Sequence, residues 1–289
     1  MSEHALSDTS LAIIGAGAMG EAMLAGLVDR RLMDAGRVTC SHPRVARRDA
    51  LAAAHGVRVS ADNVAAAQDA DIVLLAVKPQ MLGGVMKELT GHLRATQLVI
   101  SVIAGASTRA LAGGLRHPAV VRSMPNTPAQ IGQGVTVWYA TEAVDERGRD
   151  QVRTMLGALG REFEVHDERQ VAMATAVSGT GPTFIFLYIE ALTDAAVHLG
   201  FPRHVARELV LDTMSGSAQF ALQSGKHVAQ LRDMVTSPGG TSAEALYQLE
   251  KGGLRTVVSD AVWAAFERTL QLEARLEGRD PPPGSRPGR

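Results

Sequence analysis

The sequence is poor in cysteine, in aromatic residues and in net charge, and these shortages exclude several classes of protein. A single cysteine, Cys40, among 289 residues excludes an internal disulfide framework and favours a reducing compartment, so we expect a cytoplasmic protein. A formal net charge of −1 gives no reason to expect binding to nucleic acid or to an anionic membrane. We find no apolar run of about 18 residues, and residues 1–10 lack the basic and apolar segments of a signal peptide. We therefore expect neither a membrane span nor secretion.

The N-terminal region contains glycines with the spacing G-x-G-x-x-G between an apolar run and a stretch with helical spacing. In a strand–turn–helix unit, Gly15 allows the turn, Gly17 lets a pyrophosphate approach the backbone, and Gly20 lets the helix lie close to the strand. The pattern predicts dinucleotide binding, with a purely structural turn as the alternative because Gly-rich turns are common. The predicted cofactor-binding residues in this turn are Gly15, Ala16, Gly17, Ala18, Met19 and Gly20.

The distribution of strand-like and helix-like segments predicts an α/β protein with two domains and a tail. Short β-rich runs alternate with helical patterns up to residue 166, which indicates a Rossmann-type, doubly wound parallel sheet. Residues 167–276 have helical patterns almost throughout and are expected to form an all-helical dimerisation domain. Residues 277–289 are rich in proline, glycine and arginine and are expected to be disordered.

One predicted helix is apolar on almost every side. It begins near Pro182 and continues to Leu199, and it carries the run Phe184 to Ile189. A helix that is hydrophobic all round must be buried, and a small helical domain would struggle to bury it alone. We expect a second copy of the chain to cover it, so that homo-oligomers are built from dimers through this domain. Burial inside one subunit is the alternative.

The end of the second predicted strand bears on the choice of nicotinamide cofactor. NAD-binding versions of this fold place an acidic residue there to accept hydrogen bonds from the ribose, whereas no acidic residue follows this strand until Asp49. Ser41 can donate to a phosphate, and Arg44, with Arg47 or Arg48 behind it, can neutralise one. The pattern favours NADPH over NADH, although the arginines could also form a solvated helix face.

Four further motifs follow the glycine turn in order. They are A-V-K-P-Q at residues 76–80, S-M-P-N-T-P at 123–128, S-G-T-G-P at 178–182 and T-S-P-G-G-T-S at 236–242. Each motif is modest by itself, but together they span residues 10–275 in a way that is hard to obtain by chance. In these motifs the chain resembles the pyrroline-5-carboxylate reductase family, whose members make proline from a cyclic imine.

The resemblance implies roles for residues near the cofactor. The segment after the fourth strand passes along the cofactor, Asn63 contacts it, and the turn after the fifth strand faces the nicotinamide ribose. Lys78 lies at the sheet edge where ligands bind in this fold; it could donate a proton, or it could lie beside a phosphate or a carbonyl group. The further cofactor-binding residues are thus Ser41, Arg44, Asn63, Ala76, Val77, Lys78, Pro79, Val102, Ile103 and Ala104.

The resemblance also implies a substrate loop at the start of a helix. Unpaired N–H groups in a Gly-rich turn form a cradle for a carboxylate, and a threonine hydroxyl in the family's loop donates to the ring nitrogen. Counting from the glycines, Ser242 occupies that threonine position, with Thr241 just before it, so either hydroxyl is a candidate for the catalytic role. Simple helix capping is the alternative for this loop, and a structural turn is the alternative for Asn126. The predicted substrate-binding residues are Ser237, Gly239, Gly240, Thr241, Ser242 and Asn126.

The predicted reaction is reduction of 1-pyrroline-5-carboxylate to L-proline with NADPH or, less favoured, NADH. Cysteine and histidine do not cluster with metal-ligand spacing, so we predict no metal. Two other functions remain open. A β-hydroxyacid-type dehydrogenase would need a suitably placed lysine in the helical domain, where only Lys226 and Lys251 occur. A non-catalytic NADP-binding sensor would have no need of a second anion-binding loop.

Overall fold

The computed structural model describes residues 6–279, and these form two compact units. The first unit contains the chain up to Thr180 together with the segment from Ala264 onward, and the second is Gly181–Trp263. The predictions for residues 1–5 and 280–289 lie outside the described range. Glu277, the first residue of the predicted tail, instead belongs to the fold, because its carboxylate accepts a hydrogen bond from Ser107.

An eight-stranded sheet in the order β3-β2-β1-β4-β5-β6-β7-β8 forms the centre of the first unit. The sheet is parallel except between β6 and β7, which pair in opposite directions. The predicted parallel, doubly wound sheet is thus confirmed except at this pair, which is antiparallel. Only residues 125–133 join these two strands, whereas a parallel crossover needs about a dozen or more residues. The strands are β1 (Leu11–Ile14), β2 (Val38–Ser41), β3 (Arg58–Ser60), β4 (Ile72–Leu75), β5 (Leu98–Ser101), β6 (Val120–Met124), β7 (Gly134–Ala140) and β8 (Gly160–Glu164).

Helices on both faces bury the sheet in two apolar layers. Ile13 and Leu74 point into one layer, which also holds Trp138, whereas Ile14 and Leu75 point into the other. This arrangement explains why the central strands read as continuous apolar runs. The helices of this unit are α1 (Ala18–Asp29), α2 (Val45–His55), α3 (Asn63–Ala67), α4 (Leu82–Leu89), α5 (Thr108–Leu115), α6 (Glu146–Gly157) and α7 (Arg169–Ala174), followed by a π-helical turn at Thr175–Gly179.

A buried arginine on β6 holds the segment around Glu273 against the sheet. The side chain of Arg122 is 3% exposed and forms ion pairs with Glu168, at 3.1 Å, and with Glu273. Glu168 also accepts hydrogen bonds from the backbone N–H and the hydroxyl group of Thr108, at 2.7 and 2.6 Å. Because burying a charge is costly unless it is paired, these carboxylates compensate the burial of the Arg122 guanidinium.

The second unit consists of helices with little buried surface. They are α8 (Gly181–His198), α9 (Arg203–Ser224), α10 (Val228–Met234), α11 (Thr241–Lys251) and the first part of α12 (Leu254–Leu276), whose remainder belongs to the first unit. Phe186 and Leu187 on α8 are 59% and 64% exposed, and Thr193 is the one residue of that helix that is buried in the described structure. The single chain therefore does not bury α8, contrary to the alternative in which one subunit covers it.

The helical run Arg169–His198 is also long and apolar enough to cross a membrane, with 17% of its most apolar window buried. These criteria are length and mean hydropathy, and the run contains no unbroken stretch of about 18 apolar residues, in agreement with the sequence analysis. These criteria are weak for a single helix, because core helices of soluble proteins satisfy them too.

Candidate active site

The glycine turn after β1 has the three steric properties that its spacing predicts. Gly15 has φ +83°, and a Cβ atom there would lie 2.3 Å from Cγ1 of Val77. Gly17 is open, since a Cβ would find its nearest neighbour at 3.9 Å, whereas at Gly20 a Cβ would lie 3.0 Å from Cγ2 of Ile13. The turn thus combines a left-handed corner, an open backbone position and a close helix–strand contact.

Helix α1 begins in this turn and exposes its first N–H groups. Gly17 is its N-cap, and no side chain among the described residues caps it. The free N–H groups and the helix dipole make this position suitable for an anion. Since β1 lies between β2 and β4, the turn is at the point where the strand order reverses, which is where ligands bind in open α/β sheets. The arrangement fits the pyrophosphate of a dinucleotide.

The segment after β4 lies against the same turn. Val77 is the residue that Gly15 approaches, which places the segment Ala76 to Pro79 beside the glycine turn. Lys78 precedes the short 3-10 helix Pro79–Met81 and is exposed, and within residues 6–279 its amino group has no hydrogen bond or ion pair. Lys78 therefore does not hold a carbonyl group here, and it is available to a ligand.

Ser41 at the end of β2 is not free to donate to a phosphate as the sequence suggests. It is 1% exposed, and its hydroxyl donates to Oδ1 of Asn63 at 2.6 Å. The amide of Asn63 in turn donates to Glu88 at 2.7 Å. The expectation that Ser41 donates to a phosphate is corrected on this point, because its hydroxyl already donates to Asn63, 22 residues further along the chain.

The three arginines after β2 do not form one solvated face. Arg44 is the N-cap of α2, and its exposed guanidinium makes no hydrogen bond or ion pair with the described residues. The guanidinium of Arg47 instead donates to the backbone of the glycine turn. The guanidinium of Arg48 donates to the carbonyl group of His42 at 2.7 Å. Burial, followed by the charges of Arg44 and Arg47, lowers the pKa of His42. Arg44 is thus the one of the three whose charge is available to a phosphate.

The turn after β5 packs tightly in the first unit. The predicted nicotinamide turn consists of Val102, Ile103 and Ala104. The N–H of Ile103 donates to the hydroxyl of Ser101 at 3.2 Å. Gly105 has φ +77°, and a Cβ there would lie 2.9 Å from Cβ of Leu272. The close contact with α12 holds this turn at the carboxyl edge of the sheet.

Asn126, which we expected to contact nicotinamide or substrate, is engaged within the protein. It is 9% exposed. Its Oδ1 accepts the N–H of Val135 at 2.9 Å, and its Nδ2 donates to the carbonyl group of Ser178 at 3.1 Å. These contacts support the alternative of a structural turn, in which Asn126 links the loop after β6 to the π-helical turn.

The π-helical turn Thr175–Gly179 is a feature that sequence reasoning missed. The backbone N–H and the hydroxyl of Thr180 both donate to the carbonyl group of Thr175, at 2.8 and 2.9 Å. A Cβ at Gly179 would lie 3.0 Å from Cε of Met124. Such turns are frequent at functional sites, and the signal for this one lies in the S-G-T-G-P motif that precedes α8.

The predicted substrate loop lies in the second unit at the start of α11. Gly239 has φ +69°, and the N–H of Gly240 donates to the carbonyl group of Ser237 at 3.0 Å. Gly240 is the N-cap, and it has no side-chain cap. The hydroxyls of Thr241 and Ser242 make no hydrogen bond with the residues that the structure describes. The helix therefore begins at Gly240 without a side-chain cap, and the loop offers N–H groups and hydroxyls to an anion.

The remaining reactive groups do not suggest metal or thiol chemistry. Cys40 on β2 is buried in the core, and burial raises the pKa of its thiol to about 12. Such a thiol is inert at neutral pH. No cluster of three or more metal-ligating side chains occurs within residues 6–279, and the absence of a metal stays a prediction.

The strand order, the glycine turn and the uncapped helix α1 define the class of the protein, which has a Rossmann-type domain suited to a dinucleotide. Comparison with known families agrees. A model described as "NADP oxidoreductase coenzyme F420-dependent" matches residues 10–105, and one described as "Pyrroline-5-carboxylate reductase dimerisation" matches residues 168–272. The chain belongs to the pyrroline-5-carboxylate reductase family, as its motifs predict, because reductases of that family are 40% and 38% identical to it over 91% and 94% of its length.

Individual relatives match over almost their whole length. The pyrroline-5-carboxylate reductase of Synechocystis is 40% identical over 91% of this chain and 97% of that protein, and that of Pseudomonas aeruginosa is 38% identical over 94% and 99%. The crystal structure of Plasmodium falciparum pyrroline carboxylate reductase with NADP bound is 30% identical and has a TM-score of 0.85, covering 93% of this chain and 99% of that chain. A reductive aminase from Aspergillus terreus, at 18% identity and a TM-score of 0.60, shares the fold.

Proposed function

We propose that this chain reduces the cyclic imine 1-pyrroline-5-carboxylate to L-proline with NADPH, with NADH as the less favoured cofactor. The observation that carries this function is the full-length similarity to a pyrroline-5-carboxylate reductase, at 40% identity over 97% of that relative. The chain's own residues support it, because both predicted anion-binding turns begin helices without side-chain caps. A cofactor pyrophosphate and a substrate carboxylate are the corresponding anions.

The cofactor would be held at the carboxyl edge of the sheet. The N–H groups at the start of α1 would bind the pyrophosphate, and Gly17 provides the open backbone for its approach. Arg44 has the free guanidinium that a 2′-phosphate requires, which supports NADPH. Ala76 to Pro79 and Val102 to Ala104 would line the nicotinamide half of the cofactor, which supplies the hydride.

The loop before α11 would hold the substrate. Its carboxylate would accept hydrogen bonds from the N–H groups of Thr241 and Ser242, which lie at the positive end of the helix dipole. One hydroxyl, that of Ser242 or of Thr241, would donate to the imine nitrogen and favour the developing amine. Fixing the ring in this way lowers the barrier by holding the reactants in one geometry, which can be worth several kcal/mol.

The proposal also assigns a function to each of the two predicted domains. Residues 1–166 would bind the cofactor, and residues 167–276 would bind the substrate and form the dimer. The exposed apolar side chains of α8, such as Phe186 and Leu187, would be covered by a second copy of the chain. Larger assemblies would be built from such dimers. The single buried cysteine supports a cytoplasmic location.

The test is oxidation of NADPH by the purified protein in the presence of 1-pyrroline-5-carboxylate. We expect turnover with this imine, and slower turnover with NADH at equal concentration. A set of 3-hydroxy acids with NADP serves as the comparison for a β-hydroxyacid-type dehydrogenase. Turnover of these acids and not of the imine would contradict the proposal, and binding of NADPH without turnover of any cyclic imine would indicate a sensor.

The hydroxyls of the substrate loop can be separated by single substitutions. We expect Ser242→Ala to lower kcat/KM for the imine by about tenfold or more, since a hydrogen bond to the reacting nitrogen is lost. Thr241→Ala is the matched control, because both hydroxyls lie in the first turn of α11. Unchanged kinetics for Ser242→Ala together with a loss for Thr241→Ala would assign the donor to Thr241.

A further inference from the structure

Arg47 belongs to the helix after β2 but is directed at the glycine turn. Its Nε donates to the carbonyl group of Ala16 at 3.0 Å, and its Nη2 lies 3.4 Å from that of Gly17 and 2.7 Å from a carboxylate oxygen of Glu21. The side chain is 22% exposed. A single guanidinium therefore joins the backbone of the turn to the first turn of α1.

Glu21 poses an electrostatic problem for a cofactor at this site. It lies in the first turn of α1, whose free N–H groups face the position of the pyrophosphate. A carboxylate near a bound diphosphate repels it. The hydrogen bond from Arg47 lowers the pKa of Glu21, so the carboxylate stays ionised and is neutralised by its partner rather than by a proton. His55 lies 3.5 Å from the other carboxylate oxygen.

The bonds to the turn have a second effect. The C=O and N–H groups of a trans peptide point in opposite directions. When Arg47 attracts the carbonyl group of Gly17, the N–H group of Ala18 is directed away from Arg47. That N–H is the first of α1 and has no side-chain cap. Arg47 thus orients the donor that the anion needs.

We infer that Arg47 is a positioning residue for the cofactor pyrophosphate: it fixes the glycine turn and cancels the charge of Glu21. Its role differs from that of Arg44, whose free guanidinium would bind the 2′-phosphate. Arg47 should therefore affect NADPH and NADH equally, because both contain the pyrophosphate, whereas Arg44 should affect NADPH alone. The inference rests on the dinucleotide binding proposed above.

The test compares Arg47→Met with Arg44→Met, two substitutions that remove the same charge and keep an apolar stem. Dissociation constants for NADPH and NADH are measured by calorimetry without substrate, and folding is checked by circular dichroism. We expect Arg47→Met to weaken both cofactors by about tenfold with an unchanged NADPH/NADH ratio. We expect Arg44→Met to weaken NADPH by a similar factor and to leave NADH unchanged.

The double variant Arg47→Met/Glu21→Gln tests the charge directly. Removing the carboxylate that Arg47 no longer neutralises should restore part of the affinity for both cofactors. If Arg47→Met does not fold, Arg47→Lys replaces it, and we expect it to weaken both cofactors because lysine cannot reach the carbonyl groups and Glu21 together. Selective loss of NADPH affinity, or no loss, would overturn the inference. Failure of the wild-type protein to bind NADPH would instead overturn the proposed function.

Discussion

Alanine substitutions at Gly15 and at Gly17 test separately the stability of the glycine turn and its binding of the cofactor. Gly15 has φ +83°, a conformation that costs an alanine roughly 1–2 kcal/mol. Its Cβ would also lie 2.3 Å from Cγ1 of Val77 and 3.0 Å from the Val77 backbone. Such overpacking costs roughly 1–3 kcal/mol. We expect Gly15→Ala to lower the free energy of unfolding by about 2–5 kcal/mol and Tm by roughly 5–15 °C.

Gly17 offers the matched control in the same turn. It has φ −79°, which alanine adopts readily, and a Cβ there would have its nearest neighbour at 3.9 Å. Loss of a glycine N-cap costs about 1 kcal/mol or less, so Tm should fall by no more than about 3 °C. The new methyl group would nevertheless occupy the approach of the pyrophosphate, and NADPH binding should weaken at least tenfold, or by about 1.4 kcal/mol.

Both variants and the wild-type protein are compared by thermal unfolding, followed by circular dichroism, and by calorimetric titration with NADPH. The steric reasoning requires a stability defect in Gly15→Ala and a binding defect in Gly17→Ala. A Gly17→Ala protein that binds NADPH as tightly as the wild type would refute the placement of the pyrophosphate. A Gly15→Ala protein with the wild-type Tm would refute the geometry of the turn.

Three further outcomes follow from the described contacts. Arg122→Met should lower the free energy of unfolding by about 3–5 kcal/mol in a denaturant titration, because Glu168 and Glu273 lose their buried partner. The hydrogen bond from Arg47 lowers the pKa of Glu21, so the stability that this pair contributes should be present above the ordinary carboxyl pKa of 4.5 and be lost as pH falls through the lowered pKa of the folded protein. A stability difference between wild type and Arg47→Met that persists unchanged at lower pH would contradict this. Phe186→Asp should prevent the proposed dimer from forming, so that light scattering gives the mass of a monomer, whereas a variant that retains the mass of a dimer would exclude Phe186 from the interface.

The architecture was largely predictable because local patterns determine it. The buried central strands read as apolar runs, and most helix limits follow from apolar spacing and from glycine or proline at their ends. Helices α4 and α5 are harder to read, since each contains a glycine pair, Gly83-Gly84 and Gly113-Gly114, that lowers helix propensity. The reversal at β7 also escapes a local pattern, because strand direction depends on the length of the connection.

The hydrogen-bond partners of side chains in the site were not predictable, because they depend on contacts between residues that are distant in the sequence. Ser41 and Asn126 have residue types that suit a ligand, yet the partner of Ser41 lies 22 residues away in the sequence and one of the two partners of Asn126 lies 52 residues away. Only the folded chain brings these groups together. The direction of Arg47 toward the glycine turn is likewise a property of how α2 packs beside α1. The glycine turn and the loop before α11 are different, because backbone conformation dominates them and glycine spacing reveals it.

The most direct test of the proposed reaction is to supply 1-pyrroline-5-carboxylate with NADPH deuterated at both C4 positions of the nicotinamide and to analyse the proline by mass spectrometry. Hydride transfer to the imine carbon predicts L-proline that carries a single deuterium on the ring carbon beside nitrogen, opposite the carboxylate-bearing carbon. Proline without deuterium, or no proline while the wild-type protein binds NADPH, would contradict the account.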